Sequence, residues 1–150
     1  MIPVQLVRLF DLMKLGEGRA DITAALIDGP VVLSHPDLAG SNIREIPGIL
    51  RGTCSRTYSV ACTHGTFVAG ILAARRGSVA PAICPGCTLL LRPIYAEAAK
   101  GNGHMPSATP EELAAALVDS VDAGARVINL SSALVRPSAK GDGLLDDSLG

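Results

Sequence analysis

Three short apolar runs, at residues 22–27, 88–94 and Val127–Leu130, alternate with two stretches of helical character, and this order limits the fold more than any other feature of the chain. Each run has the length and the branched or leucine-rich content of a strand buried on both faces. Between the first two, residues 64–74 read as a helix of small and apolar residues, closed by the cations Arg75 and Arg76 and by Gly77. Between the last two, Thr109-Pro110-Glu111-Glu112 opens a second helix. Thr109 can cap it, Pro110 suits its first turn, and Glu112 stands at the reciprocal position of a capping box. That helix is expected to run to Ala123 and stop at Gly124. Strands separated by helices pair in parallel through right-handed crossovers, so the expected class is α/β: a parallel sheet with flanking helices.

The remaining segments are less regular. Val4, Leu6, Val7, Leu9, Phe10, Leu12 and Met13 recur at helical spacing between Pro3 and Gly16, which predicts a leading amphipathic helix within residues 1–16. Arg8, Asp11 and Lys14 interrupt it, unlike the uncharged centre of an export signal, so it is read as part of the folded protein and the cytoplasm as the default compartment. Residues 40–62 carry Gly, Pro, Ser and Thr without a period and predict loops with one short strand. A further helix is expected to begin after Gly143. Aromatic residues make up only 3% of the chain, so its core has to be aliphatic, which suits close packing of helix on sheet. The net charge is −1 and the basic residues are scattered, which excludes a stripe able to neutralise nucleic-acid phosphates. The apolar stretch at residues 22–33 is broken by Asp28, Gly29 and Pro30 and is too short to span a bilayer.

Two polar residues stand out against this background: Asp28, where the first strand stops, and His64, at the head of the first long helix. In an open α/β sheet the ends of parallel strands and the starts of the following helices share one face, where such folds place their sites. An aspartate beside a histidine can accept the Nδ1 proton, fix the tautomer and stabilise the imidazolium formed when Nε2 takes a proton from a nucleophile. Spacing alone equally allows Asp28 to cap a turn and His64 to cap a helix.

Residues 24–38, Ala-Ala-Leu-Ile-Asp-Gly-Pro-Val-Val-Leu-Ser-His-Pro-Asp-Leu, pass from an apolar strand through an aspartate to a His-Pro-Asp-Leu turn. Residues 64–74 read His-Gly-Thr-Phe-Val-Ala-Gly-Ile-Leu-Ala-Ala. The two segments resemble the aspartate and histidine blocks of subtilisin-like serine proteases, and residues 80–93, with Cys84 and Cys87, look most like the branch containing cyanobactin-maturing proteases. The resemblance implies a serine-type endopeptidase in which Asp28 orients His64 and His64 serves as the base. It makes His35 a structural residue of the turn. Residues 127–133 resemble the strand before the family's substrate-binding Ser-Leu-Gly, with Ser132 and Ala133 in place of Leu and Gly. Asn129, Ser131, Ser132 and Ala133, together with Gly101 and Gly103 at the other expected edge of the cleft, are the candidate substrate-binding residues. The aspartate block departs from the usual Asp-Thr/Ser-Gly, because Pro30 removes an N–H that could have bonded the carboxylate or the turn.

The resemblance runs from Asp21 to Gly150 and leads to the expectation that the chain is the N-terminal half of such a domain. Neither the oxyanion-hole Asn nor the Gly-Thr-Ser block of the nucleophile is found. Asn129 lies too early for the former, and Ser131, Ser132, Ser138 and Ser148 lie in none of the contexts of the latter. The expected partners are a peptide or protein substrate and a complementary C-terminal half. No cofactor is implied, and the family's calcium sites find no matching residues. Cys54, Cys62, Cys84 and Cys87 allow two disulfides (Cys54 with Cys62 and Cys84 with Cys87), a zinc site, or free buried thiols. Two rival readings are an inactive peptide-binding module and a small cysteine-based metal or redox module.

Overall fold

The structure is a computed structural model, and it describes residues 9–79, 81–98, 106–132, 143 and 146–148. Strands β1 (Thr23–Ile27), β2 (Ile43–Glu45), β3 (Thr88–Leu91) and β4 (Val127–Leu130) form one sheet in the order β2-β3-β1-β4. Every pairing is parallel: Thr23 lies beside Thr88, Ala24 beside Val127, and Ile43 beside Leu89. Helices α1 (Leu9–Leu15), α2 (Val60–Ala73) and α3 (Pro110–Asp122) complete the set, with a 3-10 turn at Pro36–Leu38.

The alternation of side chains along β1 explains the layering. Ala24 and Leu26 join Leu89, Leu91, Val68, Ala69 and Ala73 in a cluster that packs α2 on one face. Ile27 points to the opposite face and packs with Ile94, Ala116 and Leu117, which seats α3 there. Ala25, Leu90 and Ile46 extend that second layer. A central strand covered on both sides needs an unbroken apolar sequence, and this one has it from Ala24 to Ile27.

Several expected boundaries move. Helix α2 begins at Val60, four residues before His64, because Ser59 caps it by accepting the Cys62 N–H at 3.2 Å. His64 therefore sits inside the helix and does not cap it. Strand β3 stops at Leu91 short of the expected residue 94: Pro93 has no N–H to offer β2, although Arg92 and Ile94 still donate to the Leu26 and Asp28 carbonyls on the β1 side. Only half of the capping box forms: Thr109 accepts the Glu112 N–H at 3.2 Å, while the Glu112 carboxylate turns to Arg92. Helix α3 stops as expected, with Gly124 at φ 84°. The described part of the leading helix, α1, buries none of its residues. Gly143 and residues 146–148 are helical, as expected for a helix beginning there.

Arg92 fixes α3 against the sheet. It is buried, and it donates from Nε to Asp119 at 2.9 Å and from Nη1 to Glu112 at 2.8 Å. Burial alone would lower its pKa, but hydrogen bonds and charge from the two carboxylates outweigh that and hold it above the ordinary arginine value. Among the described residues no helix is long and apolar enough to cross a membrane.

Candidate active site

β1 delivers Asp28 to the C-terminal edge of the sheet, where it is fully buried. The Asp28 carbonyl accepts the N–H groups of Ile94 at 2.8 Å and Tyr95 at 3.3 Å, which hold the turn from the β3 side. Its Oδ1 accepts the Gly29 N–H at 2.6 Å and lies 2.8 Å from His64 Nδ1. A carboxylate can only accept, so the proton of this contact belongs to Nδ1, and Nε2 is left with a lone pair in the neutral ring. The His64 side chain is 48% exposed while Asp28 is covered, so the imidazole is reachable from solvent and the carboxylate beside it is not. Asp28 Oδ2 is buried and has no hydrogen-bond partner among the described residues, in keeping with the N–H that Pro30 lacks.

Sequence-local features bring the two together. The N–H of Val32 donates to Thr66 Oγ1 at 2.9 Å, tying α2 to the chain that leaves Asp28. A Cβ on Gly65 would lie 2.6 Å from the Pro30 carbonyl oxygen and closer still to that of Gly29. One on Gly29 would collide with the Ala61 carbonyl. Glycine at both positions lets the helix press onto the turn. His35 belongs to the 3-10 turn, where its Nδ1 accepts the Asp37 N–H at 3.2 Å.

The other candidates divide. In the register of β1 and β4, Asn129 lies beside Leu26 and Leu130 beside Ile27. Ser131 and Ser132 thus leave the sheet on the edge that carries Asp28, and the Asn129 amide donates to Ser131 Oγ at 3.0 Å. Gly101, Gly103, Ala133 and Ser138 lie outside the described residues.

The cysteines take two different states. Cys54 and Cys62 form a disulfide across eight residues. Cys84 and Cys87 are thiols, so of the two disulfides that the sequence allowed only the first is present, and the second pair takes the free-thiol alternative. They bracket a turn closed by the Cys87 N–H on the Cys84 carbonyl at 3.0 Å, and the Cys84 thiol donates to the Leu72 carbonyl at 3.3 Å. Burial pushes that thiol up to about 11, with Cys87 acting in the same sense and Arg76 against it. The sole potential metal-ligand group of three or more among the described residues is Cys54, Cys62 and Glu97, whose sulfurs are taken up in the disulfide.

Sequence reasoning missed Glu97. Its carboxylate accepts the N–H groups of Ser55 at 2.9 Å and Arg56 at 2.6 Å and the Ser55 hydroxyl at 2.6 Å. Burial acts to raise its pKa, but these hydrogen bonds hold it below the ordinary glutamate value. No local signal marks a glutamate whose partners lie about forty residues earlier in the chain.

In a comparison of the whole sequence with family models, the model of the subtilase family aligns with residues 19–144. The chain belongs to the subtilase family. Among solved structures, this subtilase is similar to a mutant of the protease domain of PatA, with 28% identity and a TM-score of 0.77 over 89% of this chain and 46% of that one. The prenylagaramide maturation protease PagA is similar at 26% identity and a TM-score of 0.76, over 99% of this chain and 46% of the other. The PatG macrocyclase, solved in complex with a peptide, shares the fold at 17% identity and a TM-score of 0.72, over 99% of this chain and 51% of the other. The subtilase chain thus spans about half the length of the structures it matches. Among curated proteins none matches.

Proposed function

We propose that this chain supplies the base and its orienting carboxylate to a subtilisin-like serine endopeptidase, and that further polypeptide supplies the nucleophilic serine and the oxyanion donor. The observation that carries the reading is the 2.8 Å contact between His64 Nδ1 and a buried Asp28 in a member of the subtilase family. In the reaction, the serine hydroxyl gives its proton to His64 Nε2 as its oxygen attacks the scissile carbonyl. His64 then returns the proton to the leaving amine, and Asp28 steadies the imidazolium between the two steps. In this reading Ser131 and Ser132, which leave the sheet on the edge that carries Asp28, meet the backbone of an extended peptide. Similarity to maturation proteases supports a peptide precursor as the substrate class.

The test uses a fluorophosphonate, which labels an activated serine. The purified chain alone is expected to stay unlabelled, and labelling is expected when a complementary C-terminal half is added. His64→Ala should abolish that labelling, and Asp28→Asn should lower its rate by about 10⁴-fold by favouring the wrong tautomer. Labelling of the isolated chain at Ser131, Ser132, Ser138 or Ser148 would overturn the proposal. So would labelling of the combined halves that survives His64→Ala.

A further inference from the structure

The first turn of α2, which leads into His64, is fastened to the Asp28 side of the site by two neighbouring ties that take no part in proton transfer. One is covalent. Cys62 is buried two residues before His64 and is bonded to Cys54. Cys54 is held in turn by the chain leaving Asp28: its N–H donates to the Val31 carbonyl at 3.1 Å, and the Val31 N–H donates to the Gly52 carbonyl at 2.7 Å.

The other tie is a set of hydrogen bonds gathered by one carboxylate. Glu97 follows Ile94 and Tyr95, whose N–H groups hold the Asp28 carbonyl. Its carboxylate gathers the N–H groups of Ser55 and Arg56 and the Ser55 hydroxyl, and it lies 3.5 Å from the hydroxyl of Ser59, the cap of α2. Arg56 Nη1 closes the loop by donating to the Glu97 carbonyl at 3.3 Å. A carboxylate oxygen of Glu97 and the two sulfurs all lie within 4.8 Å of one another, so the two ties act side by side on the same short loop. Beyond His64, Gly65 and Thr66 bind the helix to the turn separately.

We propose that Glu97 is a positioning residue for the Asp28–His64 pair and that the Cys54–Cys62 disulfide duplicates its action in a form that reduction can remove. With either tie intact the first turn of α2 stays in place. With both gone it frays, and the His64 ring leaves Asp28 while the rest of the helix remains packed. The redox step is an exchange with a dithiol: the S–S bond accepts two electrons and two protons to give two thiols, and the dithiol closes to its cyclic disulfide. The loop then depends on the Glu97 carboxylate alone. The importance of the inference rests on the catalytic reading of the pair, but its test requires no turnover.

The test is proton NMR of the whole chain in four forms: wild type and Glu97→Gln, each with and without dithiothreitol. The His64 Nδ1 proton, identified by its loss in His64→Ala, is expected downfield in both oxidised forms and in reduced wild type. It is expected to vanish in reduced Glu97→Gln and to return on reoxidation. Cys54→Ser/Cys62→Ser should reproduce the effect of the reductant. Amide exchange gives a second reading if the doubly released form unfolds: each single release should speed exchange at residues 62–64 by about tenfold and leave α3 unchanged. Survival of the resonance in reduced Glu97→Gln would overturn the proposal, as would its loss in either singly released form or unchanged exchange in both. Failure of the catalytic reading would appear separately, as absent fluorophosphonate labelling with the resonance in place.

Discussion

A side chain at residue 65 would have to enter the space of the Gly29 and Pro30 carbonyls, and one at residue 29 the space of the Ala61 carbonyl. Backbone cannot step aside as a flexible side chain can, so the approach of α2 to the Asp28 turn is set by the absence of two β-carbons. Gly65→Ala is expected to cost about 1–3 kcal/mol, the usual range for forced overpacking. Gly70→Ala makes the control, because among the described residues nothing lies within 4 Å of its missing Cβ, and by helix propensity it should be neutral or stabilising by up to about 1 kcal/mol. Urea denaturation of both variants checks this, and equal midpoints would refute the close-approach account. The sequence announced Asp28 and His64 because each breaks an apolar, small-residue segment in a recognisable pattern. It did not announce the separate fates of the cysteines. The Cys54–Cys62 bond depends on where a loop is carried by Val31, and the Cys84 thiol is engaged by the distant Leu72 carbonyl.

Helix α3 meets the sheet through two carboxylates, Glu112 and Asp119, which stand two turns apart on one face and grip a single buried guanidinium. The arrangement uses the planar fork of arginine, since separate nitrogens serve separate acceptors. Arg92→Lys keeps the charge but offers one nitrogen where Arg92 offers several, and it is expected to lower stability by about 1–3 kcal/mol. Thermal unfolding measures this, and an unchanged midpoint would show that the grip contributes nothing. The elements themselves were mostly legible: β1, β4 and α3 lie within a residue or so of where periodicity and punctuation put them. Errors arose where a long-range partner or a second local signal competed with the rule applied. Glu112 left the capping box for Arg92, and Pro93 ended β3 before its apolar run did. The early start of α2 was readable in Ser59, a capping residue ahead of a small-residue stretch.

Parallel sheets are ordinarily covered on both faces, yet among the described residues β4 forms an edge of this sheet with Val127 and Leu130 exposed. Val118 and Val121 on α3 and Phe67 and Ile71 on α2 are exposed as well. Such surface calls for cover, so the isolated chain is expected to self-associate at micromolar concentration and to become discrete when a complementary half is added. Sedimentation velocity distinguishes the two states, and a monodisperse isolated monomer would argue against the need for cover. The order β2-β3-β1-β4 also bears on how the molecule is made. The strand that leads to Asp28 is synthesised early, but Leu130, which pairs with Ile27, emerges only about a hundred residues afterwards, roughly 5–20 s later at ordinary ribosomal rates. Until β3 is made, about two-thirds of the way through that interval, β1 waits on the ribosome with neither of its sheet neighbours, which makes the nascent chain a natural client for chaperones.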